Sequence, residues 1–305
     1  MNNKSKATVI SIINMKGGVG KTTLTINIAS HLANKGKSVL VIDMDPQFNS
    51  TQSLIQYKIA NQSPAGTTAT DDSSSDTSES QQPTIVKNSA DFYTVLSDEN
   101  KTINSLFQQK QVLKSEDLII PIVENIDLIP GDLNLTFANQ GDTDPKNHVI
   151  QEFFDQANLL NEYNYILIDN SPTWTPVLTL SSLHASNFYL IPTKLEFYSA
   201  LGIRLLKDQL YKYQSRKYDK LEIAPLGIVP MFTTNIKAEN LVLDTLTKEF
   251  KDIGVFSNSI PSTPSAGSKF TLYDEVSGHT RYDALNNSFD KFFIEFQNKL
   301  DHENN

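Results

Sequence analysis

The stretch that most constrains this chain runs from residue 8 to residue 42, where the hydrophobic period changes twice. Val9 to Ile13 is a short β-branched run, and Thr22 to Leu32 carries Leu24, Ile28 and Leu32 at helical spacing. Gly36 reads as a helix C-cap, and Val39 to Ile42 is continuously apolar. Together they predict a βαβ unit. Continuous rather than alternating hydrophobicity in Val39–Ile42, Ile166–Ile168 and Phe188–Ile191 describes strands covered on both faces. The fold class expected is therefore α/β: a doubly wound, mostly parallel sheet with helices on both faces.

The chain has 305 residues, 39% of them hydrophobic, which is enough for a full core. It has no cysteine, so disulfides, thiolate zinc sites, iron–sulfur clusters and cysteine nucleophiles are all excluded. No apolar run approaches the roughly 18 residues of a membrane span, and the N-terminal residues lack the apolar stretch of a signal peptide, so a cytoplasmic protein is expected. The formal charge is −9, against a surface coated with basic groups but compatible with one local basic face. Residues 61–90 hold twelve Ser or Thr among thirty residues, with four acids and one lysine, and read as a disordered insert. Structure is expected to resume at Asp91, with a strand at Ile126–Pro130 and a helix from near His148 to Asn161.

Asn14-Met15-Lys16-Gly17-Gly18-Val19-Gly20-Lys21-Thr22-Thr23 lies between the first strand and the first helix, the context that a phosphate-binding loop requires. Three of the chain's twelve glycines fall in positions 17 to 20. Glycines let successive backbone N–H groups turn toward phosphate oxygens, and the helix that follows aims its N-terminus at them. Lys21 would reach the β- and γ-phosphates, and the Thr22 hydroxyl would ligate Mg²⁺. The general pattern G-x-x-x-x-G-K-[ST] has glycine where this chain has Met15. In its place the loop carries a second lysine, Lys16.

That loop resembles the deviant Walker A motif of the ParA/MinD family of ATPases. The resemblance implies that Lys16 reaches across a nucleotide-sandwich homodimer to the phosphates of the other subunit. Asp43-Met44-Asp45-Pro46-Gln47, directly after the second strand, resembles the family's D-x-D-P-Q segment, which makes Asp45 the residue orienting the attacking water and sets Asp43 close to Mg²⁺. Tyr165 to Asp169 is an apolar strand ending in an acid, the Walker B pattern, which implies that Asp169 binds Mg²⁺ through water. Family members carry Thr-Pro-Pro or similar after this acid, whereas this chain has Asn170-Ser171-Pro172, a departure that alters the switch. Ile129-Pro130-Gly131, Leu190-Ile191-Pro192-Thr193, Gly227-Ile228-Val229-Pro230 and Ser259-Ile260-Pro261 extend the resemblance to one P-loop ATPase domain over residues 7–300, the insert excepted. In the family the last two segments lie near adenine, so Met231 and Pro261 are candidates for base contacts; ordinary loop packing is the other reading.

Chemistry narrows the branch. Without cysteine there is no nitrogenase-reductase cluster, and the tail lacks the tyrosine cluster of the related kinases. With thirteen residues ahead of Asn14, the short form without an N-terminal DNA-reading domain is expected. Phe289, Phe292, Phe293, Phe296 and Leu300 form an apolar stripe, which serves either a packed core helix or the membrane-binding helix of MinD-like proteins. The acids Asp290, Glu295, Asp301 and Glu303 beside it argue for the core and against a membrane. Six basic and two acidic residues from Arg204 to Lys220 make the candidate DNA face, led by Arg204 and Lys207; a solvated helix face is the other reading. Lys237 and Lys269 lie where relatives place DNA-binding arginines.

The resemblance thus implies a partition ATPase with ATP and Mg²⁺ as cofactors and weak intrinsic hydrolysis. Its partners would be non-specific DNA and a ParB-like centromere-binding protein, and it would associate with the nucleoid in the cytoplasm. A MinD-like membrane-cycling ATPase and a nucleotide-dependent cargo scaffold with little turnover are the alternatives.

Overall fold

In β1 (Thr8–Ile12), Ile10 and Ile12 belong to one hydrophobic layer and Val9 to the opposite one. The same division runs through β2 (Val39–Met44), where Val39 and Val41 face one layer and Leu40 and Ile42 the other. All of these side chains are at most 2% exposed. A strand wholly covered in this way needs helices on both sides, and that demand sets the architecture.

A computed structural model describes residues 6–62, 91–108, 113–140, 145–234, 236–263 and 283–303. The remaining strands are β3 (Ile120–Val123), β4 (Ile126–Ile129), β5 (Tyr165–Asn170), β6 (Phe188–Lys194), β7 (Ala224–Thr233) and β8 (Ile260–Pro261). They form one eight-stranded sheet in the order β3-β4-β2-β5-β1-β6-β7-β8. Every pairing is parallel except β3 with β4. The α/β, mostly parallel expectation therefore holds. The chain leaves β1 for β2 on one side of it and later passes from β5 to β6 across it. Strand order reverses at β1, and ligands of such sheets bind beyond the carboxyl ends of the strands at that point.

Eight helices are labelled here: α1 (Lys21–Ala33), α2 (Asn49–Gln62), α3 (Val149–Gln156), α4 (Leu159–Glu162), α5 (Pro176–His184), α6 (Ser199–Gln214), α7 (Lys237–Glu249) and α8 (Asp283–Glu303). Gly36 closes α1 as expected. With φ at +72°, it donates to Ala33 O at 2.8 Å while the Lys37 N–H reaches Leu32 O at 3.1 Å, a paired C-terminal cap that a β-carbon would strain. The single helix expected from His148 to Asn161 is instead α3 and α4, separated by Asn158 at φ +57°. Asparagine adopts that left-handed conformation more readily than other side-chain-bearing residues, and the helical ladder breaks there. Residues 91–98 are helical. Within the expected insert, positions 61 and 62 are the last turn of α2, and 63–90 lie outside the described residues.

The stripe on α8 is core. Phe289, Phe292, Phe293 and Phe296 are at most 3% exposed and join Ile10, Val41 and Val229 in one cluster. Phe292 packs on Phe256 with ring centroids 5.2 Å apart, and Phe293 lies 4.2 Å from His31 of α1. Glu295 accepts the N–H groups of Ser257 and Asn258 at 2.8 and 3.0 Å, so this acid beside the stripe also holds the fold. No helix among the described residues is long and apolar enough to cross a membrane. Truncating Phe293 to Ala should lower the unfolding free energy by about 3–5 kcal/mol, whereas Ile294→Ala on the exposed face should change it by less than about 0.5 kcal/mol, both read from urea midpoints.

Candidate functional site: a phosphate loop facing buried carboxylates

After β1 the chain is pinned before it turns. Ile13 N–H donates to Leu190 O at 2.9 Å, and the buried Asn14 side chain donates to Pro192 O at 2.8 Å while accepting from Lys16 N–H at 3.1 Å. Gly18 and Gly20 then take φ values of +66° and +94°. At Gly20 a β-carbon would also lie 2.9 Å from the Met231 methyl, so both backbone conformation and packing demand glycine. The first turn of α1 has no acid, which leaves its N–H groups and partial positive charge to an anion. Lys21 is 6% exposed, and its Nζ donates to Lys16 O at 3.2 Å across the loop. Burial pulls its pKa below the ordinary lysine value, with Asp169 and Asp45 opposing that shift.

Facing the loop are three acids from two strand ends. Asp43 and Asp169 are direct partners in the β2–β5 register, and both are buried. Asp43 Oδ2 accepts from the N–H and the hydroxyl of Thr51, each at 2.8 Å, and its Oδ1 accepts from Asp45 N–H at 3.1 Å. Thr51 Oγ in turn accepts from Gly131 N–H at 2.8 Å. Asp169 Oδ2 accepts from Thr22 Oγ at 2.7 Å and from Ser50 Oγ at 2.6 Å. Burial raises both carboxyls above the usual carboxylate range, and the charge of Asp169 raises Asp43 further. For Asp169 the hydroxyls of Ser50 and Thr22 and the ammonium of Lys21 offset part of the rise. Asp45, 7% exposed, is also raised by burial, against the Gln47 N–H that it accepts at 3.0 Å.

Asp169 Oδ1 is buried without a hydrogen-bond partner. An unsatisfied carboxylate oxygen beside a threonine hydroxyl is the hard, all-oxygen donor set that suits Mg²⁺. Thr22 and Asp169 therefore fit the metal expected of them. Asp43 fits less well, because both its oxygens are already engaged by Thr51 and Asp45; its observed work is to hold the segment from 45 to 51 against β2.

Other expected residues fall elsewhere. Gly17, Val19 and Thr23 lie in the loop and first helical turn as read. The Lys16 side chain forms an ion pair with Glu196. Met231 is 1% exposed and packs on Gly20, so in this conformation it has no surface for a base; Pro261 is partly exposed in β8. Arg204 donates to Glu249 at 2.7 Å and Lys207 pairs with Asp252 at 2.7 Å. Those acids come from α7 and the turn after it, and they cancel the charge that made this pair the leading DNA candidates. Lys237 is exposed at the start of α7, and Lys269 lies outside the described residues. The sequence reading missed Ser50 and Thr51. Their signal was a pair of hydroxyls five and six residues after Asp45, at the start of the next helix.

A glycine loop opening a helix, a buried lysine and a strand-end acid at the switch point define a P-loop nucleotide-binding protein. The chain belongs to the AAA-domain family, whose model matches residues 7–223, and within it to the ParA/MinD-type ATPases with the deviant Walker A loop. Over 280 residues it is 28% identical to the chromosome-partitioning ATPase Soj of Treponema pallidum, covering 90% of this chain and 93% of the relative. Among solved structures it is similar to a plasmid partition protein from Borrelia burgdorferi, at TM-score 0.65 and 20% identity over 95% of this chain and all of that one. It is also similar to cobyrinic acid a,c-diamide synthase from Mycobacterium smegmatis with bound ATP analogue and magnesium, at TM-score 0.63 and 20% identity over 86% and 90% of the two chains.

The buried acids give a pH dependence with a definite sign. The unfolded chain releases their protons near the ordinary value of about 4, while the folded chain retains them to higher pH. Between those limits the folded state binds more protons, so stability without nucleotide or Mg²⁺ should fall as pH rises from about 4 toward neutrality. In urea titrations across that range, Asp169→Asn should flatten the slope.

Proposed function

We propose that this chain is a ParA-type partition ATPase, hydrolysing ATP to ADP and phosphate at the loop of residues 16–23. The observation that carries the reading is the convergence of Lys21, Thr22 and the unsatisfied Asp169 carboxylate on the mouth of that loop. Thr22 and Asp169 would hold Mg²⁺, which supplies charge neutralisation at the phosphates. Backbone N–H groups of residues 17–22 cradle the phosphate oxygens, and Lys21 adds a fixed cation in a poorly solvated place. Asp45 orients the attacking water from the end of β2, where burial and the Gln47 N–H restrict its movement.

Lys16 acts across a homodimer. Its partner Glu196 is exposed, and beside it Phe197, Tyr198 and Leu201 are 85, 68 and 49% exposed, an apolar surface suited to a second copy. The exposed Lys16–Glu196 pair costs little to open. Replacing Lys16 with Ala should therefore leave ATP binding largely intact and abolish the ATP-dependent dimer in sedimentation, whereas Lys21→Ala should abolish binding itself. Normal dimers from the Lys16 variant would refute the cross-subunit role. The MinD-like alternative loses its main support, because the stripe proposed to meet a membrane is inside the protein.

DNA would be held by the basic groups beyond Arg204 and Lys207, at the end of α6 and the turn after it: Lys212, Arg216, Lys217 and Lys220. Lys217 lies 5.3 Å from the ring centroid of Tyr218, which is 77% exposed. A chain of charge −9 presents little such surface, and dimerisation doubles it. Binding in the cytoplasm would then be to the nucleoid, ATP-dependent and indifferent to sequence, and a ParB-like partner would stimulate turnover. Charge reversal at both Lys217 and Lys220 alters four groups per dimer. It should lower the slope of log affinity against log salt by about 3–4 while sparing the dimer. Should the parent with ATP retain no DNA at low salt, the partition reading fails.

A further inference from the structure

His148, His184 and Asp219 come together at the C-terminal end of α5. One ligand-capable atom of each lies within 4.8 Å of the other two. They arrive from three separate places: His148 from the residue preceding α3, His184 from the last position of α5, and Asp219 from the turn after α6. The Nε2 atoms of His148 and His184 lie 2.5 and 3.8 Å from the same oxygen, Asp219 Oδ1. The two imidazoles are 4.3 Å apart between centroids.

Two features separate this cluster from an ordinary surface ion pair. The His184 side chain is 5% exposed, and its Nε2, turned toward Asp219, is buried without a hydrogen-bond partner. A buried ring nitrogen in that condition is costly unless something is bound to it. Second, His148 has its Nδ1 within 3.3 Å of Gln151 Oε1, one turn along α3. Such a bond on the other ring nitrogen is how metal-ligating histidines are oriented, with Nε2 left for the ion.

We propose that His148 Nε2, His184 Nε2 and Asp219 Oδ1 form a binding site for a divalent transition-metal ion of the zinc class. Two imidazoles and one carboxylate are a borderline donor set that favours Zn²⁺ or Co²⁺ over Mg²⁺. Ligands about 2.0–2.1 Å from a zinc ion stand about 3–4 Å apart, so atoms within 4.8 Å need only a small convergence. The ion would replace the His148–Asp219 hydrogen bond and satisfy His184. Arg216 is a cation close enough to act on His184, and its guanidinium stacks on Tyr213 with 4.0 Å to the ring centroid. A fourth position stays open to water on the exposed Asp219 side. Bound metal would tie the end of α5, whose other end follows the Walker B strand, to the turn after α6.

The test uses the untagged full chain, stripped with chelator and titrated with Co²⁺ alone, following the visible d–d absorption and the metal retained after desalting. One equivalent of Co²⁺ per chain, displaced by Zn²⁺ and accompanied by a rise in melting temperature, is expected. The signal should vanish in His148→Ala and in the conservative Asp219→Asn, which leaves the buried His184 undisturbed. It should persist in Asp169→Asn, which separates this site from the carboxylates at the phosphate loop. Absence of the band in the parent, its survival in Asp219→Asn, or its loss in Asp169→Asn alone would each overturn the assignment.

Discussion

Two buried carboxylates stand side by side at the carboxyl ends of β2 and β5, and much of the candidate site follows from how they are tolerated. Because β5 inserts between β1 and β2, Asp169 lies directly beside Asp43. Like charges at that distance in a poorly solvated place repel strongly, and each alone is expensive to bury. Thr51 and the Asp45 N–H satisfy Asp43, while Ser50, Thr22 and Lys21 only partly satisfy Asp169. The remaining deficit sits on one oxygen, Asp169 Oδ1, where the proposed Mg²⁺ would bind.

The loop itself is shaped by packing as much as by glycine. Met231 and Phe232, at the end of β7, close over Gly20, and Phe232 takes a φ of +56° there, unusual for an aromatic residue. Backbone held in such a conformation indicates that the surrounding contacts fix it. The end of β7, one of the two segments expected near a base, thus lies against the segment expected to hold phosphate. A change at Gly20 would be felt in both.

Stability and chemistry are divided between regions of the sheet. The phenylalanine cluster of α8 covers one face and has no part in the polar site. The carboxyl ends of β1, β2 and β5 gather the costly buried polar groups. The layer beneath can carry that cost because its strands are covered on both faces.

The sequence by itself determined whatever depends on near neighbours along the chain. The βαβ unit, the glycine turn, the cap at Gly36, the strand-end acids and the covered strands all follow from period, from positive φ and from residues within a few positions of one another. Tertiary structure decided which charges are free and which surfaces exist. Arg204 and Lys207 read as an exposed basic pair, yet Glu249 and Asp252 arrive from a distant helix end to neutralise them. Met231 reads as a loop residue and is buried by a glycine more than two hundred positions earlier. Ser50 meets Asp169, Thr51 meets Gly131, and the two histidines meet Asp219 only when separate strands and helices dock. The reason is physical: a helix or turn is set by steric and hydrogen-bonding terms that act within about one turn of chain, whereas the state of a charge or a ring nitrogen depends on every group that folding brings within a few ångströms.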